Sequence, residues 1–144
     1  MIRNLFDGLD SRRQGLIDEK WTKDGTLHRD GYPAVISRIP VLGYLVREEW
    51  YQYGQLHRDG GAALTIYDPL NRRVKWEGWY KHGKLHRTDG PAVIKHDSQN
   101  QTLLLEEWYR RGCLYRADGP AVVFYDPDNG LPLVTACANL ELKL

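Results

Sequence analysis

The chain is poor in sulfur and has no long apolar runs. Of its 144 residues two are cysteine, Cys113 and Cys137, and one is methionine. Two cysteines are too few for the disulfide framework of a small secreted domain. Cys113 is therefore expected as a reduced, half-exposed thiol and Cys137 as a buried one. The absence of any run of about 18 apolar residues excludes a membrane-spanning helix. The opening stretch MIRNLFDGLDSRRQG lacks the apolar core of a signal peptide. Surplus charge is missing as well, with 20 Lys and Arg against 19 Asp and Glu. A dedicated nucleic-acid binder usually carries a basic excess, so that class is not expected. These absences read as a soluble, cytoplasmic protein of one domain.

What the chain has instead is repetition. The stretch EGWYKHGKLHRTDGPAVI, Glu77 to Ile94, nearly recurs from Glu19, Glu48 and Glu106. Trp21, Trp50, Trp79 and Trp108 stand 29 residues apart with no insertions. A fixed period of this size marks an architecture in which each unit packs on its neighbours. Fourteen Gly and seven Pro punctuate the chain, and the short apolar runs are β-branched or aromatic, so helix is not expected. Each unit reads as a first strand ending near Trp-Tyr, then a tight turn at Gly25, Gly54, Gly83 or Gly112. A second arm through Leu-His-Arg follows, with a break at Asp-Gly-Pro-Ala and a looser turn into the next unit. The expected fold is all-β: an elongated, curled antiparallel meander of four hairpin repeats. The repeats run from 15 to about 130, with an N-terminal cap over 1–14 and a C-terminal capping strand over 131–144.

Six positions are identical in all copies; in the third they are Glu77, Trp79, Gly83, Leu85, Arg87 and Ala92. A three-residue turn, Lys81-His82-Gly83 with Gly83 left-handed, pairs Tyr80 with Lys84, Trp79 with Leu85 and Glu77 with Arg87. That register puts the constant side chains on one face, with each arginine across from its own glutamate. The tryptophans are then largely buried. His28, His57 and His86 fall on the opposite, wetter face near Tyr51, Tyr80 and Tyr109, and the fourth copy has Tyr115 in the histidine's place.

Fourfold repetition argues against catalysis, which needs one irregular constellation, so Glu77 and Arg87 are not read as an acid–base site. No Cys/His cluster has zinc spacing, and no metal or cofactor is expected. The repeated His57, His86, Tyr51 and Tyr80 suggest a face that could take a small anion, since neutral histidine donates a hydrogen bond and aromatic rings stack on bases. The turns between units differ most from copy to copy. The first, SRIPVLGYL, is unusually apolar, and Ile39, Val41, Leu42 and Tyr44 make it the leading protein-contact candidate.

The stretch WEGWYKHGKLHRTDGPAVI resembles a MORN (membrane occupation and recognition nexus) repeat, with its aromatic strand, glycine turn and glycine-bearing second strand. It is closer still to a MORN-like variant with Trp-Tyr-x-x-Gly-x-Leu-His-Arg-x-x-Gly-Pro-Ala. The likeness covers about Leu16 to Ile94 and Leu103 to Tyr125. It departs from ordinary MORN units in its longer period and its Leu-His-Arg element. The resemblance implies a scaffold for partners, and for some members phosphoinositide binding or homo-oligomerisation. The variant is seen in bacteria, bacteriophages and large DNA viruses, which implies a phage or viral protein acting on a host factor in the host cytoplasm. The expected function is thus non-catalytic protein binding. The alternative is sequestering a small anionic ligand, such as a nucleotide signal or a phosphoinositide headgroup.

Overall fold

The computed structural model describes residues 15–136; the N-terminal cap, Cys137 and the last residues of the C-terminal segment lie outside them. Nine strands of four or five residues form one antiparallel sheet: Ile17–Lys20, Val35–Arg38, Leu45–Glu49, Leu64–Tyr67, Val74–Gly78, Val93–His96, Leu103–Glu107, Val122–Tyr125 and Pro132–Ala136. Each pairs with the next in this order, so the sheet is an open meander. No helix occurs among the described residues.

Connections alternate. At one end of the sheet a small hairpin is inserted in each unit: Thr22–Lys23 with Thr26–Leu27, Tyr51–Gln52 with Gln55–Leu56, Tyr80–Lys81 with Lys84–Leu85, and Tyr109–Arg110 with Cys113–Leu114. At the other end six-residue turns join neighbouring units. The chain leaves the sheet at tryptophan and returns at alanine. The Trp50 N–H donates to the Ala63 carbonyl (2.7 Å), and the Ala63 N–H to the Gly78 carbonyl (2.9 Å). The constant alanines Ala34, Ala63, Ala92 and Ala121 are among the most buried residues, at most 1% exposed. The Asp-Gly-Pro break therefore separates two ladders instead of kinking one strand.

The small hairpins overturn the expected register. Tyr80 pairs with Leu85 and Lys81 with Lys84, leaving a two-residue turn. Both turn residues are left-handed: His82 at φ 48° and Gly83 at φ 74°, with the same pair at Asp24-Gly25, Tyr53-Gly54 and Arg111-Gly112. Such a type I′ turn matches the right-handed twist of its strands, which a three-residue reading ignores. Trp79 consequently faces His86, whose N–H donates to the Trp79 carbonyl at 2.9 Å.

The arginines do not sit across from their glutamates. Each stacks on the tryptophan of its own unit: Arg29, Arg58 and Arg87 at 3.8 Å from the ring centroid and Arg116 at 4.2 Å. Each Nη1 also donates to a carbonyl four residues on, at Pro33, Ala62, Pro91 and Pro120. The tryptophans are half-buried, less than expected, because their cover on one face is a partly solvated guanidinium. On the far side of Arg58 and Arg87 lies glycine backbone. A Cβ added at Gly61 or Gly90 would come within 2.8 Å of the guanidinium carbon. In the first unit Tyr32 takes that place, with Arg29 4.9 Å from its ring centroid.

The glutamates Glu19, Glu48, Glu77 and Glu106 line one row of the sheet, alternating with Ile36, Thr65, Ile94 and Val123. Glu48 accepts from the Tyr67 hydroxyl and Glu106 from the Tyr125 hydroxyl, both at 2.8 Å, and Glu19 lies 3.8 Å from Arg38. The glutamate's partner is thus 19 residues on, next to the looser turn. Burial and the neighbouring carboxylate push both phenols up, Tyr125 to about 12 and Tyr67 further.

Two outcomes are expected. Gly90→Ala should cost roughly 1–3 kcal/mol in urea unfolding, because it dislodges a guanidinium held by a ring and a carbonyl. Most of that cost should vanish in an Arg87→Ala background, and a fully additive double-mutant cycle would refute the sandwich. A phenol with a raised folded-state pKa keeps its proton longer folded than unfolded. Stability should therefore be unaffected near neutrality and fall as pH climbs from about 10 to about 12. The double variant Tyr67→Phe/Tyr125→Phe should show a shallower alkaline loss when urea midpoints are compared over that range.

Candidate functional site

The residues singled out by sequence divide between the two ends of the sheet. Tyr51, His57, Tyr80 and His86 belong to the hairpin end; Ile39, Val41, Leu42 and Tyr44 belong to the first looser turn. The structure does not bring the two groups together.

At the hairpin end the histidines are internal. His28 and His57 are each 5% exposed and His86 is half-buried, which corrects the expectation of a wet face. Each imidazole accepts a hydrogen bond at Nδ1 from the first left-handed residue of the next unit's turn. The donors are the N–H groups of Tyr53 (3.1 Å), His82 (3.2 Å) and Arg111 (3.1 Å). With Nδ1 accepting, the proton sits on Nε2, which meets Asp30 at 3.0 Å in the first unit and Asp59 at 3.4 Å in the second. Hydrogen bonds from His57 and Lys81 hold Asp59 below the usual carboxylate range. Two backbone bonds complete each joint. The Gly83 N–H donates to the Leu56 carbonyl (2.9 Å) and the Arg58 N–H to the Tyr80 carbonyl (3.2 Å), with equivalents at the neighbouring joints.

Tyr51 and Tyr80 are half-buried beside this joint, and burial raises both phenols, aided at Tyr51 by Glu49. The signal that sequence reading missed is the residue before each turn glycine. Asp24, Tyr53, His82 and Arg111 share no chemistry, but all need an acceptor for a backbone N–H. Tyr115, which replaces histidine in the fourth copy, is exposed and packs beside Arg110 at 5.0 Å.

At the opposite end three of the four turns are built alike. The carboxylates of Asp68, Asp97 and Asp126 accept the N–H two residues on, at 2.7–2.8 Å. Asn71, Asn100 and Asn129 accept in the same way from Arg73, Thr102 and Leu131. The second and third turns are also tied to each other. The Ser98 hydroxyl donates to Asp68 and the Asn71 amide to the Ser98 carbonyl, both at 2.6 Å.

The first turn has the same backbone course, with Gly43 left-handed and its N–H donating to the Ile39 carbonyl at 2.8 Å. It has neither side-chain acceptor, because Ile39 and Leu42 occupy the Asp and Asn places. Ile39 and Tyr44 are half-buried, and Arg72 lies 5.6 Å from the Tyr44 ring centroid. Val41 is 93% and Leu42 57% exposed, and Leu70 on the next turn is 85% exposed.

Comparison with protein-family models, curated proteins and solved structures finds no match. The site is therefore read from its own geometry. Among the described residues no group of three or more His, Cys, Asp or Glu could hold a metal ion, and no helix is long and apolar enough to cross a membrane. Cys113 is a free thiol, exposed instead of half-exposed.

Removing the acceptor at a joint should be costly. His57→Phe leaves the part-buried His82 N–H unpaired and is expected to cost about 1 kcal/mol in urea. Amide exchange at His82 should rise in that variant. His86→Phe, at the more exposed joint, should cost less. Unchanged exchange at His82 would remove the imidazole from the joint.

Proposed function

We propose that the chain is a non-catalytic scaffold that binds a protein partner through its first looser turn. The observation that carries this reading is the exchange of Asp and Asn for Ile39 and Leu42. It leaves Val41 and Leu42 exposed, with Leu70 exposed on the next turn. Exposed apolar clusters of this kind commonly mark contacts. The hairpin end supports the reading from the other side, since its imidazoles and turn amides are spent on joining units. The likeness to the MORN-like variant adds the proposal that the partner is a host factor met by a phage or viral protein.

The test is site-specific photo-crosslinking in source-cell extract. A crosslinker at position 41 should trap one protein, whereas one at the matching position of the third turn, 99, should not. Val41→Ser with Leu42→Ser should keep the melting temperature within about 2 °C and lower capture about tenfold. Equal capture at 41 and 99 would remove the first turn from the reading. Collapse of the fold would make the segment a packing element.

A further inference from the structure

The third unit breaks the repeat at two linked positions. Trp76 stands where the other copies have Asp18, Arg47 and Leu105; Gly78 stands where they have Lys20, Glu49 and Glu107. The two changes require each other. A Cβ at Gly78 would come within 2.4 Å of the Trp76 ring and 2.7 Å of the Tyr80 ring, so any side chain there would displace the indole. A glycine inside a strand weakens it and often marks a close approach. Nothing in the stacking of units calls for either residue.

The indole that Gly78 makes room for lines a cavity of about 450 Å³ on the sheet face opposite the Glu48–Glu77 row, a size usual for small-molecule sites. Leu64, Ile66 and Leu104 give it apolar walls beside the indole. Ile66, Trp76 and Lys95 lie directly across from one another in the sheet. Lys75 occupies the extra position of a bulge, where Ile66 pairs with Trp76 and Tyr67 with Val74. Both lysines are exposed.

The glycine has a second effect. It removes the carboxylate that Glu49 and Glu107 place at this level in units two and four. The single acid lining the cavity, Asp97, already accepts the N–H groups of Gln99 (2.7 Å) and Asn100 (3.3 Å). Lys75 also feels the field of Asp68. Lys95 has no ion pair within 4.0 Å among the described residues.

We propose that this cavity binds a planar aromatic anion, its ring against Trp76 and the apolar walls and its acid group met by Lys75 and Lys95. The chemistry is shared by aromatic carboxylates and by base-bearing phosphates, and flat rings stack on indole with either. This site is independent of the first turn, which lies at the end of the sheet one unit away.

The experiment follows the Trp76 indole N–H signal by NMR, assigned by its loss in Trp76→Phe. The full chain is titrated with 2-naphthoate and with adenosine 5′-monophosphate. Inorganic phosphate and acetate serve as anions without a ring, and 2-naphthalenemethanol as a ring without charge. At least one aromatic anion should shift the Trp76 signal saturably, and which one responds identifies the acid group.

The controls should act much more weakly. Lys75→Ala with Lys95→Ala, two exposed changes that leave packing intact, should weaken the response about tenfold. Gly78→Glu should abolish it. No saturation by either probe up to about 10 mM would overturn the proposal. So would equal binding of phosphate alone, or affinity untouched by the double lysine change.

Discussion

Everything in this fold hangs on backbone N–H groups that a left-handed turn cannot satisfy within its own unit. A type I′ turn leaves the amides of its two central residues without a partner inside the turn, and a donor that a neighbouring unit covers without accepting from it is costly. Here the preceding unit supplies both acceptors: an imidazole Nδ1 for the first amide and a leucine carbonyl for the second. A single unit has little else to hold it, because its buried core is alanine and valine. The tight turn, a local matter in most hairpins, therefore becomes the bolt between repeats. This explains why three of the four copies keep the histidine while the residue before the turn glycine changes freely.

The same logic separates the two ends of the sheet. Guanidinium, indole and glycine backbone are stacked in layers at the hairpin end, and little there is free to vary. The looser turns are closed mainly by their own Asp and Asn side chains. Apart from the second and third, which are tied to each other, they can be altered one at a time at small cost to the array. The first turn and the Trp76–Gly78 pair are the two places where a single copy departs from the others in a concerted way. Recognition is expected where repetition fails, because a residue fixed by packing in every unit has no freedom left to select a partner.

Much of this was legible in the sequence. The period, the β class and the antiparallel meander follow from four aligned tryptophans and from glycines that punctuate short apolar runs; that the sheet stays open did not. The exposure of Val41 and Leu42 follows from their lack of a place in the unit. The register did not follow. The identical positions alone favour a three-residue loop, since that puts Glu77, Trp79, Leu85 and Arg87 on one face. The variable residue before Gly83 carries the decisive information in its φ angle, which its chemistry does not announce. Arginine's partner was misassigned for a related reason. A stack on Trp79 and a bond to the Pro91 carbonyl cross the break between two ladders, whereas strand-pairing arguments see only partners within one. Histidine looked solvent-facing because alternation was carried past the end of a two-residue strand.

The replacement of histidine by Tyr115 has a consequence for how such a chain grows. In copy four the exposed Tyr115 stands where the other copies have histidine, so that copy offers no imidazole Nδ1 to a turn packed against it. One ring atom per copy thus decides whether that copy can accept a neighbouring turn's amide in this way. Extension by duplication would be in frame from the outset: any copy carrying histidine brings its own acceptor, and the copy carrying tyrosine does not.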